Sequence, residues 1–231
     1  MFPFDLPRWR FRHVSPWQRN GGLGASIVPP PDRTVPSRPI RKIPGGPDAA
    51  FDVPAVGAVD PQHIVWHGEL RDGTPLVIRP IRPNDATSEQ AFVRALSPGS
   101  RRKRFGGALN ELSPTMLERF TRIDPARETA LVAFVGGGER IRQVGVARYA
   151  IDRAGQTGEF ALVVSDELHR RGVGARLMEL LLAAARDHGL DRLRGEVLAD
   201  NREMLEFVAA LGFSAHPHPG GRGMMTVERA P

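Results

Sequence analysis

Apolar positions along this chain alternate between strand and helix patterns. Leu76-Val-Ile begins one strand, and Asn84 or Asp85 stands where a side chain can cap a helix running through Leu96. Thr129 to Val135 is a second strand, with Glu128 just before it. Glu159-Phe-Ala-Leu-Val-Val-Ser165 is a third. Its alternation puts Glu159, Ala161 and Val163 on one face and Phe160, Leu162 and Val164 on the other. A short acidic turn and a basic glycine loop, His169-Arg-Arg-Gly-Val-Gly174, lead into a helix through Leu182. Leu193 to Ala199 reads as a further strand. Asp200 or Asn201 then opens a helix whose apolar face, Met204, Leu205, Val208, Ala209 and Leu211, ends at Gly212-Phe213. Strands alternating with helices predict an α/β (α+β) domain.

Composition limits that domain to residues 61–231. Residues 1–60 hold about half of the prolines, including Pro29-Pro30-Pro31, together with Gly21-Gly22 and Gly45-Gly46, and no sustained apolar period. Such a segment buries too little surface to offset its ordering entropy, so we expect a flexible tail. Its opening interleaves aromatics and arginines, which suits a solvated tail, a docking peptide or a membrane-surface contact. The tail has no apolar signal region, and the longest apolar run, Leu180 to Ala185, is too short to span a bilayer; we expect a cytoplasmic protein without a membrane span. The net charge of +6 is spread evenly over tail and domain, which argues against a dedicated nucleic-acid binder. The absence of cysteine removes disulfides, thiolate metal sites and any cysteinyl intermediate.

The glycine loop carries the most chemistry. A helix starting after Arg171-Gly172-Val173-Gly174 points unpaired backbone N–H groups and the positive end of its dipole outward. Gly172 and Gly174 let a phosphate approach the backbone, with His169, Arg170 and Arg171 beside it, so a pyrophosphate is the natural ligand. The dinucleotide pattern G-x-G-x-x-G and the P-loop pattern are both missing. The stretch resembles instead the acyl-CoA motif [Q/R]-x-x-G-x-[G/A] of the GNAT superfamily of N-acetyltransferases, with His169 at the first position.

The resemblance extends from about Val65 to Val227, and its upstream part is similar to the acetyltransferase domain of bacterial protein-lysine acetyltransferases, the branch that modifies acyl-CoA synthetases. It implies a mixed central sheet of about six to seven strands flanked by helices, splayed between the fourth and fifth strands. It implies acetyl-CoA as cosubstrate, bound by Leu162, Val163 and Val164 of the motif strand, by His169, Arg170, Arg171, Gly172, Val173, Gly174 and Ala175 of the loop, and by Asn201 at the pantetheine arm. Where many members carry a tyrosine acid for the CoA thiolate, this chain has Val208.

An amine of pKa about 10.4 arrives protonated, so acetyl transfer needs a proton acceptor. By the resemblance, Glu159 matches the glutamate that the lysine-acetylating branch uses as general base, directly or through a water, and its apolar neighbours on the strand face predict partial desolvation and raised basicity. Glu128 is the second candidate, but its place just before the strand fits a strand-end surface charge better. The acceptor is a protein lysine or a small amine, and a non-catalytic acyl-CoA sensor is a third reading. Arg101-Arg-Lys-Arg104 fits a solvated helix face, or a grip on the partner or on the CoA 3′-phosphate. His216-Pro-His218 has no third metal ligand nearby and reads as loop, so no metal is expected. Oligomeric state leaves no signature in the sequence.

Overall fold

A computed structural model describes residues 64–105, 109–221 and 223–231. The expected tail, residues 1–60, lies outside the described residues. Eight strands form one sheet in the order β1-β2-β3-β4-β5-β6-β8-β7. They are β1 (Trp66–Glu69), β2 (Pro75–Pro80), β3 (Glu128–Val135), β4 (Arg142–Ile151), β5 (Thr157–Val164), β6 (Arg192–Leu198), β7 (Ser214–Pro217) and β8 (Met224–Arg229). All neighbours are antiparallel except β5 and β6, which the crossover through a helix makes parallel. The helices are α1 (Ala86–Ala95), α2 (Pro98–Phe105), α3 (Pro114–Thr121), α4 (Val173–Asp187) and α5 (Arg202–Ala210).

This is the expected mixed sheet flanked by helices, with eight strands where about six to seven were anticipated. The short strands β1 and β7 extend its edges, and β1 makes the motif strand fifth rather than fourth. Burial separates two cores. On one face α4 lays Leu177, Met178, Leu181 and Ala184 over Leu131, Ala133, Ala147 and Tyr149, with Val208 of α5 in the same cluster. On the other, Phe92, Val93 and Phe120 of α1 and α3 cover Ala130, Val132, Val146 and Val163. Asp85 sits at the N-cap of α1 without capping it through its side chain. Its carboxylate instead takes both terminal nitrogens of Arg79, each at 2.7 Å, and the Arg82 N–H.

The β5–β6 ladder determines where a ligand can enter. It contains the pairs Thr157 with Arg192, Gly158 with Leu193 and Glu159 with Arg194, and stops there. β5 stays paired to β4 up to Val164. Beyond Glu159 the two strands diverge, as the resemblance implied. At the point of divergence the Phe160 ring lies against β6 where only a glycine fits, because a Cβ on Gly195 would come within 2.7 Å of it. Phe213 backs the ring at 5.2 Å between centroids.

Candidate active site

The loop entering α4 has the geometry of an anion cradle. Arg170 has φ +59° and Gly172 φ +87°, both left-handed, so the chain turns sharply twice before the helix. The first helical bond runs from Arg176 N–H to the Gly172 carbonyl, so helix geometry offers no carbonyl to the N–H groups of Val173, Gly174 and Ala175. Gly174 is required neither by its φ nor by crowding, since a Cβ there would meet Phe207 and Val164 at 3.6 Å and Leu162 at 3.7 Å, ordinary contact distances. A glycine that its own protein does not require fits close approach by a ligand. Arg170 is 82% exposed beside Glu203, and Arg171 pairs with Asp72 in the β1–β2 turn at 3.0 Å. His169 Nε2 lies 3.1 Å from the Val164 carbonyl, so its ring ties the loop to the end of β5. Arg176, also in the first turn, is buried under Trp66 and pairs with Glu179, away from the cradle.

The open edge of β5 can be assigned residue by residue. Ser165 N–H bonds the Val144 carbonyl of β4, and strand alternation then turns the backbone of Val163 toward β4 and those of Leu162 and Val164 toward the gap. Leu162 and Val164 therefore present unladdered groups on the gap side, the Val164 carbonyl being engaged by His169. Asn201 caps α5, accepting from Met204 N–H at 3.4 Å, at the far lip of the gap.

Glu159, Phe160, Arg194, Gly195 and Glu196 line one cleft where the strands part. Glu159 is exposed, which corrects the expected desolvation: alternation put it on the face with Ala161 and Val163, but sharing that face does not bury it. Glu128 shares that face and the same cross-strand row, with Ala150 between the two, about 10 Å from Glu159 by strand spacing. It pairs with Arg119 of α3 at 3.0 Å, outside the cleft. Val208 is fully buried, and the chain's single tyrosine, Tyr149, lies on the α4 face with its hydroxyl 2.6 Å from His188 Nδ1. Burial pushes that hydroxyl up to about 12, and strand pairing puts Tyr149 with Phe160 on the sheet face opposite Glu159.

A family model for acetyltransferases of the GNAT family matches residues 95–213. Acetyltransferase PA5475 from Pseudomonas aeruginosa is 35% identical over 165 residues, 71% of this chain and 88% of that protein. The chain belongs to the GNAT acetyltransferase family. Among solved structures, the GNAT domain of S. lividans PAT superposes with a TM-score of 0.66 at 29% identity, covering 78% of this chain and 100% of that one. A GNAT acetyltransferase from Streptococcus pneumoniae shares the fold, with a TM-score of 0.55 at 20% identity over 67% and 98% of the two chains.

This GNAT chain uses α2 to bridge the two lips of the gap, a feature the sequence did not reveal. Ser97 N–H, Ser97 Oγ and Ser100 Oγ at the start of α2 donate to Asp166, in the turn after β5, at 3.0, 2.7 and 2.7 Å. Further along α2, Arg102 reaches Asp200 at the end of β6, 3.0 Å away. The basic run Arg101 to Arg104 thus divides: Arg102 and Lys103 face solvent, whereas Arg104 is 7% exposed. Burial and then the nearby Arg148 guanidinium lower the Arg104 pKa, against the pull of buried Glu89. Arg104 is therefore not available to a phosphate. Among the described residues no cluster of three or more His, Cys, Asp or Glu could hold a metal, and no helix is long and apolar enough to cross a membrane.

Proposed function

We propose that this GNAT acetyltransferase moves an acetyl group from acetyl-CoA onto a protein lysine, acyl-CoA synthetases being candidate targets, by direct attack with Glu159 taking the amine proton. The observation that carries the reading is the position of Glu159 at the last β5–β6 pair, in the cleft where the open edge of β5 begins. The N–H groups of Val173, Gly174 and Ala175, with Arg170 and Arg171, would hold the pyrophosphate. The open edge at Leu162 and Val164 would align the pantetheine arm, as an added strand is aligned, with Asn201 on the opposite lip. When bound, acetyl-CoA supplies the activated thioester. Glu159 would accept one ammonium proton directly or through a water, and a gap-facing N–H of Leu162 or Val164 would polarise the carbonyl. As the C–N bond forms the C–S bond breaks, CoA leaving as a thiolate that takes the second amine proton. No cysteine is present to carry the acyl group, in keeping with direct transfer. Lysine as acceptor rests on the sequence resemblance to bacterial protein-lysine acetyltransferases and on the likeness to the GNAT domain of S. lividans PAT.

The test is Glu159→Gln. It keeps the shape and acetyl-CoA affinity and should lower turnover by about 10²–10⁴, measured on lysines identified by mass spectrometry after incubation with acetyl-CoA and a host lysate. Glu128→Gln should be milder, because that carboxylate is engaged by Arg119 outside the cleft. Reversed effects would make Glu128 the base; an active enzyme indifferent to both would refute the assignment. Acetylation of small amines alone, with no lysine modified, would make the acceptor a small molecule.

A further inference from the structure

Residues 70–74 join β1 to β2 in a turn that the chain holds firmly. Leu70 is buried in the main core, and its N–H donates to the Thr74 carbonyl at 2.8 Å. Gly73, with a left-handed φ of +78°, donates its N–H to the Leu70 carbonyl at 2.9 Å. Inside that frame Asp72 uses its two oxygens differently. Oδ1 accepts the Thr74 N–H at 3.0 Å, and Oδ2 accepts from Arg171 Nη1 at 3.0 Å. Donation from the Thr74 hydroxyl and N–H, and after them the Arg171 guanidinium, lowers the Asp72 pKa, so the group is a carboxylate at neutral pH. Its own turn therefore orients Asp72 more strongly than Arg171 does. Arg170, the other arginine of the glycine loop, has no comparable brace: it is exposed, with Glu203 at 3.9 Å. The same hairpin also reaches the first turn of α4, where the Trp66 ring lies 4.7 Å from the Arg176 guanidinium.

We propose that Asp72 is a positioning residue for acetyl-CoA, holding Arg171 at the rim of the anion cradle in place for a phosphate of the cosubstrate. This rests on the acetyl-transfer reading above. It adds to the site a hairpin that lies outside residues 95–213, the stretch matched by the family model. With Nη1 engaged by Asp72, the Nε and Nη2 hydrogens of Arg171 remain for an anion. A guanidinium already fixed loses less rotamer freedom when that anion arrives. Repulsion between the Asp72 carboxylate and the phosphate opposes this. It acts through solvent, since Asp72 is 45% exposed, and ions screen it, whereas the saving in rotamer freedom is not screened. Orientation therefore prevails.

The experiment is calorimetric titration of acetyl-CoA into the full chain and its Asp72→Asn, Arg171→Gln and doubly substituted variants. Asp72→Asn keeps the turn, because the amide oxygen still accepts from Thr74, and should weaken binding about 3–10-fold; Arg171→Gln should weaken it at least as much. In the Arg171→Gln background Asp72→Asn should change nothing, since its effect passes through Arg171. In lysine acetylation, Asp72→Asn should raise KM for acetyl-CoA and leave kcat at saturation unchanged. Unaltered or tighter binding by Asp72→Asn, or an equal loss in both backgrounds, would overturn the proposal. The Thr74 amide gives a check without substitution. Its hydrogen exchange should slow when acetyl-CoA binds the unmutated chain, because Arg171 links the phosphate to Asp72; an unchanged rate would count equally against the proposal. Failure of the unmutated chain to bind acetyl-CoA would sink the acetyl-transfer reading and this proposal with it, whereas a chain that binds it and is indifferent to Asp72→Asn sinks this proposal alone.

Discussion

Asp166 joins α2 to the turn that precedes the glycine loop, and Asp166→Asn tests how much that joint contributes. Burial opposes the charged carboxylate, but donation from Ser97 N–H and from the Ser100 and Ser97 hydroxyls prevails and holds it at about 2, against an ordinary value of 3.8. A shift of that size corresponds to roughly 2.5 kcal/mol if all of it were stability. Because the carboxylate is mostly exposed, solvent screening reduces this to about 1 kcal/mol. The folded-state pKa is depressed, so the contribution is fully present above the unfolded value near 3.9 and is lost as pH falls through about 2. Urea unfolding of wild type and Asp166→Asn at pH 2, 3, 4 and 6 should show a gap of about 1 kcal/mol at pH 6 that closes near pH 2, with a melting-temperature difference of about 2–4 °C at pH 6. A gap that persists at pH 2, or none at pH 6, would refute the reasoning.

Gly174→Glu should fold normally, since a Cβ there meets only ordinary contacts, yet lose measurable acetyl-CoA binding by calorimetry because a carboxylate would occupy the anion cradle. Gly195→Ala drives a methyl group into the Phe160 ring and should destabilise the domain by about 1–3 kcal/mol in urea unfolding while shifting the tip of the cleft. Deleting residues 1–60 stops short of Ile64, which is buried at 3% exposure, so melting temperature and acetyl-CoA affinity should stay nearly unchanged. A large loss would show that the tail packs on the domain.

From Glu159 to Phe213 the amino-acid sequence by itself determined strand, loop, helix, strand and helix, because their signals are local: alternation, left-handed glycine, a capping Asn201 and a helical apolar face within one contiguous stretch. β4 was not legible, because its interior carries Gln143, Gly145 and Arg148. Those residues are accommodated by distant partners. Gln143 donates to Glu89 of α1, Arg148 reaches the Phe120 carbonyl of α3, and Leu177 of α4 packs against Gly145. Burial of Arg104 follows likewise from elements that fold over it. For Glu159, alternation named the face, and only the tertiary structure decided that solvent reaches it. Glu196 and His218 come together through the pairing of β6 with β8 and of β8 with β7. Periodicity reports which side of an element a residue occupies, because backbone geometry is local. What covers that side, and which charge lies opposite, depends on contacts between segments far apart in the chain, and packing alone creates those.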